Sequence, residues 1–353
     1  MNALTANRNA LLTRRDFLKL AGASLAAFCL PSGIHTVSAQ SQAVLASPPR
    51  LGRVIANNTR VHEKPSLKSP VLKKYFADHV LSITDVTVGD EEPAYNRVWY
   101  QLNGEGYVHS GSIHPVDVSP NEPVSRIAEE GRLAEVTVPY TDCTWSPLRS
   151  ESVVYRLYYG TTYWVTGLIT DAAGVPWYSY YDEKWKLTFY AKAAHLHLIE
   201  QEELQPISQE VPPEAKRIEI MLEEQAVIAY EYDRPVFISR AATGARFSDG
   251  DFRTSPGRYL MNRKRPSRHM ADGDFAAPAS YDLPGVPWVS YLTDSGISFH
   301  GTYWHNDFGK PRSHGCINLP TPAARWIYLW TNPDVPWGER LFQNDPGTIV
   351  DVI

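Results

Sequence analysis

The sequence predicts a mainly β chain, with two small barrel-like modules in tandem followed by a larger β domain that ends in a helix. Three observations support this. Tyr, Trp and Pro are abundant, at 20, 10 and 27 residues, whereas long stretches with helical periodicity are few. Apolar and polar residues alternate over short runs bounded by Gly, Asp and Asn. One segment of the first half recurs as a weaker copy.

The first forty residues read as an address. Arg14-Arg15-Asp16-Phe17-Leu18-Lys19 leads into an apolar run from Leu20 to Leu30, and Val37-Ser38-Ala39 follows as a small-residue cleavage site. A basic start, a short apolar middle and such an end make a signal peptide over 1–39, and the paired arginines resemble the twin-arginine type. Cys29 would suit a lipoprotein, but Phe28 before it is too bulky for that processing site. No other run approaches the roughly 18–20 apolar residues that a bilayer requires. The remainder is therefore expected to be exported to the periplasm or cell wall, with no transmembrane segment. Arg8, Arg14, Arg15 and Lys19 outweigh Asp16 by three charges, so removing this segment takes the net charge from -5 to -8. An acidic chain without a basic block is not expected to bind nucleic acid. Cys143 and Cys316 then remain, too few for a disulfide framework, so packed cores must hold the fold.

Residues 50–118 and 130–200 are the two modules. "YFADHVLSITDVTVGD" (75–90) sets against "YYGTTYWVTGLITDAAG" (158–174) without a gap over ten positions. A Trp-Tyr pair follows each, Trp99-Tyr100 and Trp177-Tyr178, and then a tyrosine seven residues before a histidine, Tyr107 to His114 and Tyr190 to His197. Most of these aromatics suit a barrel core. The pair resembles bacterial SH3-like modules, which implies contact with wall glycan or peptide. The acidic stretch that ends in Pro212-Pro213 reads as a linker over 201–214. From 215 to 353 the alternation resumes, with Asp233-Arg234-Pro235 as a turn between two strands. Thr321 can cap a last helix, Pro322 suits its first turn, and "AARWIYLW" follows.

The chemistry concentrates in "SFHGTYWHNDFGKPRSHGCINL" (298–319). Zinc could use His300, His305, His314 and Cys316, but none of the usual ligand spacings is present, so no metal is expected. A buried apolar thiol is the second reading, yet Ser313, His314, Gly315 and Asn318 surround Cys316 with a polar, tightly turned setting. The third is nucleophilic catalysis, in which an imidazole takes the thiol proton and a further group orients that imidazole.

F-H-G followed by S-H-G-C-I-N, with sixteen residues from His300 to Cys316, closely resembles the signature of the L,D-transpeptidases, the YkuD-type catalytic domain. Tyr281, Trp288 and Ser295-Gly296 precede His300 in that family's usual order, while Thr254-Ser255-Pro256-Gly257 departs from its T-P-x-G by one position. The resemblance implies a β-sandwich-like fold over about 215–353, with no cofactor. It implies Cys316 as nucleophile, His300 as base and then acid, and the Gly301 carbonyl as orienting group. Backbone N–H groups of His314, Gly315 and Cys316 would hold the oxyanion, with His314 and Asn318 shaping the pocket and Ser313 supporting the turn. Tyr281, Ser295 and Gly296 would contact substrate, and His305, without a counterpart, is read as a surface residue. The implied reaction cleaves the L-to-D bond of a peptidoglycan tetrapeptide stem, releases D-alanine and forms a 3→3 cross-link. An L,D-carboxypeptidase remains open, since water can replace the acceptor amine. A non-catalytic wall-binding protein would be expected to lack the Cys or the His. A papain-like peptidase would place its cysteine before its histidine.

Overall fold

The computed structural model describes residues 50–149, 151–248, 250–272 and 280–353; the signal segment at 1–39 lies outside them. Strands β1 (Leu51–Val54), β2 (Thr59–His62), β3 (Val71–Tyr75), β4 (Val80–Val88), β5 (Val98–Leu102), β6 (Gly106–His109) and β7 (Ile113–Val116) form an antiparallel sheet in the order β3-β2-β6-β5-β4-β1-β7. Strands β8 (Arg132–Val136), β9 (Tyr140–Thr144), β10 (Val153–Tyr158), β11 (Thr162–Thr170), β12 (Pro176–Asp182), β13 (Leu187–Lys192) and β14 (Leu196–Leu198) follow in the order β10-β9-β13-β12-β11-β8-β14. The two orders are the same once the second is counted from β8, so the repeat in sequence is also a repeat in topology.

Alternation explains both cores. Val54, Val61, Tyr100, Leu102 and Ile113 turn inward in the first sheet, and Leu157, Tyr163, Tyr178, Tyr180 and Phe189 in the second. Trp99 and Trp177 are buried with them. Cys143 sits fully buried in the second cluster, where burial pushes its thiol up to about 11 and the Tyr180 hydroxyl donates to its sulfur at 3.2 Å. Both Cys143 and Cys316 are free thiols.

The third sheet takes β15 (Lys216–Met221), β16 (Ala226–Glu231), β17 (Arg234–Arg240), β20 (Gly257–Asp272), β21 (Tyr281–Tyr291), β22 (Ser298–Gly301), β23 (Ile317–Leu319) and β24 (Phe342–Val352). Their order is β17-β16-β15-β24-β20-β21-β22-β23, and the short β18 (Arg246–Phe247) and β19 (Gly250–Asp251) pair separately. The pairs β15–β24 and β22–β23 are parallel. The reversal before β17 falls on Tyr232 and Asp233, at φ +47° and +68°, one residue earlier than the sequence pattern suggests. Pro235 is tolerated inside β17 because that strand is the sheet's edge.

Helix α1 (Thr321–Trp330) lays Ala324, Ile327, Tyr328 and Trp330 on the core that faces the third sheet. Burying Ile327 alone stabilises by roughly 1.5–3 kcal/mol. Its N-cap is Pro320, so Thr321 is the first helical residue rather than the cap expected from sequence. Its far end is closed by buried ammonium groups. Lys264 Nζ donates to the carbonyls of Tyr328, Thr331 and Pro333 at 2.5–2.8 Å, and Lys216 Nζ to that of Trp330 at 3.0 Å. Carbonyls at a helix C-terminus have no intrahelical donor, and cations there also suit the helix dipole. The acidic 201–214 stretch packs down, with Leu204 and Ile207 against the same core. Among the described residues no helix is long and apolar enough to cross a membrane.

Both modules lean on the third sheet. Glu183 forms ion pairs with Arg265 and Arg268 at 2.7 Å, and the Thr162 hydroxyl donates to the Pro266 carbonyl at 2.7 Å. His269 is held between Asp182 at 2.6 Å and Asp282 at 2.5 Å. From the first module, Arg53 donates to the Tyr303 carbonyl at 2.7 Å, while Asn306 donates to the Ser110 carbonyl at 3.2 Å.

Candidate active site

Register builds the site. Phe299, Ile317 and Leu319 are fully buried in the core, and the parallel pairing sets Phe299 against Ile317, His300 against Asn318 and Gly301 against Leu319. Side chains alternate along a strand, so burying that face turns Ser298, His300, Cys316 and Asn318 to the other. Strands in a sheet lie about 4.8 Å apart, which makes thiol and imidazole diagonal neighbours on one surface. That surface is the floor of a cleft of about 690 Å³.

The His300 ring has only one nitrogen to spare. Its Nδ1 lies 3.1 Å from the Gly301 carbonyl. A carbonyl can only accept, so Nδ1 carries the proton and Nε2 keeps its lone pair for the cleft. Burial pulls the imidazole pKa down to about 4, against a smaller opposing effect of that carbonyl. Burial also raises the Cys316 thiol, opposed by its hydrogen bonds with the Ser298 backbone and hydroxyl. The Ser298 hydroxyl and the Gly296 carbonyl each lie 3.8 Å from the sulfur. Both shifts favour the uncharged forms, a thiol and an imidazole.

The turn that presents Cys316 is fastened from both sides. Gly315 has φ +109°, where a side chain would be strained. Ser313 Oγ donates to the Cys316 carbonyl at 2.5 Å and accepts the Gly315 N–H at 3.2 Å. Thr254 Oγ1 accepts the Gly244 N–H at 2.9 Å and donates to the Gly315 carbonyl at 2.8 Å. The departure from the family pattern at 254–257 thus leaves a threonine hydroxyl bracing the loop that carries Cys316.

The other expected residues fall in different places. His314 is exposed, stacked on Phe247 at 4.8 Å and flanked by Phe252 and Tyr281 at 4.7 and 5.8 Å. Asn318 is buried in the cleft floor, bridged through its backbone to Ala242. Ser295 is exposed and pairs its hydroxyl with Thr293 at 2.9 Å, away from the residues that line the cleft. Gly296 touches the site only through its carbonyl. His305 is buried at 3% exposure rather than on the surface, with Nε2 2.9 Å from the Asn318 carboxamide. Phe247, Met270, Leu283, Trp304 and Arg312 also line the cleft. Sequence spacing gives no sign of Phe247, Met270 and Leu283, which folding brings from distant segments, whereas Trp304 and Arg312 stand between His300 and Cys316 in the chain. Ser298 was within reach, since it stands two residues before His300 on the same strand face.

The family described as the L,D-transpeptidase catalytic domain (YkuD) matches residues 215–352. No curated protein matches the chain. Among solved structures, a mutant L,D-transpeptidase of Enterococcus faecium is 19% identical over 39% of this chain and 50% of its own, with a TM-score of 0.30. An L,D-transpeptidase of Mycobacterium smegmatis is 17% identical over 76% of this chain and 100% of its own, with a TM-score of 0.33. One from Xylanimonas cellulosilytica is 24% identical over 39% and 60%, with a TM-score of 0.28. The chain spans about half the length of the Enterococcus structure it matches.

Proposed function

Residues 215–352 are an L,D-transpeptidase catalytic domain of the YkuD type, and from that premise we propose a cysteine-dependent enzyme that joins peptidoglycan stems by 3→3 cross-links outside the cytoplasmic membrane. The observation that supports it best is the shared cleft face of Cys316 and His300, with His300 Nδ1 tied to the Gly301 carbonyl. Cys316 Sγ attacks the carbonyl carbon of the L-to-D bond as His300 Nε2 takes the thiol proton. The C–N bond then breaks, the imidazolium gives that proton to the departing D-alanine amine, and a thioester remains. An acceptor amine attacks the thioester and its surplus proton passes to His300; the C–S bond then breaks and the imidazolium returns that proton to the leaving thiolate, restoring thiol and imidazole. The Gly315 N–H is already accepted by Ser313 Oγ, so the His314 and Cys316 amides are the preferred oxyanion donors. In this reading the two N-terminal modules, SH3-like in pattern, contact the wall polymer.

The test is mass spectrometry after incubation with a disaccharide-tetrapeptide, with and without an amine acceptor, beside Cys316→Ala. Joined stems plus free D-alanine, absent with the variant, are expected. Tripeptide alone would assign hydrolysis by water, and unchanged substrate would refute the enzyme reading for this stem.

A further inference from the structure

The cleft beside Cys316 is walled by Phe247, Met270, Tyr281, Leu283 and Trp304, and among the described residues that line it Arg312 is the one permanent charge. A positive charge at the cleft draws an anionic ligand group towards it. Its setting adds to the positive field. Arg312 donates to Asp307 at 2.8 Å, and the same carboxylate oxygen pairs with Lys310 at 2.7 Å. The Arg240 guanidinium also interacts electrostatically with that carboxylate. One carboxylate among three cations leaves surplus positive charge. Asp307 is held at 8% side-chain exposure while Arg312 is 40% exposed, so the surplus reaches solvent at the cleft. Arg312 commits one terminal nitrogen to Asp307, and among the described residues no acceptor takes its other N–H groups. The fixed guanidinium therefore has a planar edge free for a carboxylate. The residue stands four positions before the nucleophile, and its backbone N–H is anchored to the Thr243 carbonyl at 2.8 Å.

We propose that Arg312 selects the donor by pairing with the free terminal α-carboxylate of the peptide, which confines the enzyme to the anionic end of a stem. This rests on the stem-peptide reading above. It assigns to Arg312 the recognition of the leaving residue's unblocked carboxylate. Internal L-to-D bonds and amidated ends would be refused.

Binding separates this from the reading it rests on. Tetrapeptide stems ending in carboxylate or carboxamide are titrated into the full chain carrying Cys316→Ala, with Arg312 intact or changed to Gln or Lys. With Arg312 intact, the carboxylate stem should bind roughly 10- to 100-fold more tightly than the carboxamide. Arg312→Gln should bring the carboxylate stem down to the carboxamide's affinity, with the carboxamide stem's own affinity unchanged. Arg312→Lys should keep part of the preference, as a point charge without the planar fork. Equal binding of both stems with Arg312 intact would overturn the proposal alone, as would a preference that survives Arg312→Gln. Failure to bind either stem would overturn the stem-peptide reading and this inference together.

Discussion

Alkylation of Cys316 by iodoacetamide should be slow at neutral pH and should keep accelerating as the solution becomes alkaline. The reagent reacts with thiolate, so its rate reports how much of the thiol is ionised. Burial raises the Cys316 thiol above its ordinary 9.0, and the His300 imidazole, pulled down to about 4, carries no charge near pH 7 that could stabilise a thiolate. Thiol is therefore the dominant form at pH 7. The assay follows carboxamidomethylation of the Cys316 peptide by mass spectrometry from pH 5 to 10. Cys143, buried and pushed up to about 11, serves as the protected reference. The rate at Cys316 should climb about tenfold per pH unit between 6 and 9. A plateau reached below pH 7, with its inflection near that of an imidazolium, would mean a resting ion pair and would refute the neutral-pair account. The same pair sets the acid limb of turnover. Below about pH 4 His300 gains a proton and loses its capacity as base, so kcat/KM should fall there and stay level through neutrality.

Three further outcomes follow from hydrogen-bond accounting. Thr254→Val strips the hydroxyl from the Gly244 N–H and the Gly315 carbonyl; urea unfolding should show a loss of about 2–4 kcal/mol, and turnover should fall because the nucleophile's turn loosens. His269→Ala leaves Asp182 buried without its partner, which should cost about 3–5 kcal/mol at pH 6. Two carboxylates, the larger contribution from Asp182 and then Asp282, hold the imidazole above 6.5 in the fold despite burial. Its stabilisation is thus complete below 6.5 and lost as pH rises through the folded value. The melting-temperature gap between wild type and variant should narrow towards pH 9; a gap independent of pH would exclude the charged bridge. Lys264→Met orphans three carbonyls at the end of α1, and denaturant titration should register a loss of about 2 kcal/mol or more.

The parts of the molecule legible in advance are those set by local pattern. Cys316 and His300 were readable because a parallel strand pair fixes both within one short stretch of chain, and the spacing between them is part of the sequence. The module repeat was readable because alternation and the Trp-Tyr pairs survive divergence, and the two sheets share one strand order. The misreadings share a cause, which is tertiary context. Thr321 has the chemistry of a cap, but Pro320, with φ fixed near −51°, already stands at the N-cap. His305 looks like a surface residue in a polar loop, yet that loop is pressed between the first module and the cleft floor. Phe247, Met270 and Leu283 gave no signal because their relation to Cys316 exists only in the folded chain.

The parallel pairing of β22 and β23 has a consequence for how such a molecule can be altered. Parallel neighbours need a crossover connection, and here the crossover from residue 302 to 316 is itself a wall of the cleft, bearing Trp304 and Arg312. His300 and Cys316 stay fixed by the sheet at its two ends, so the part of the stretch short of Ser313, His305 aside, can be rewritten for another ligand without loosening the turn at Cys316. It is not free of the first module, whose Arg53, Ser110 and Tyr95 hold its Tyr303 carbonyl, Asn306 carboxamide and Lys310 ammonium. A loop transplanted from another protein would arrive without its counterpart surface. The natural unit of exchange is therefore the crossover together with the first module, two segments nearly two hundred residues apart in the chain.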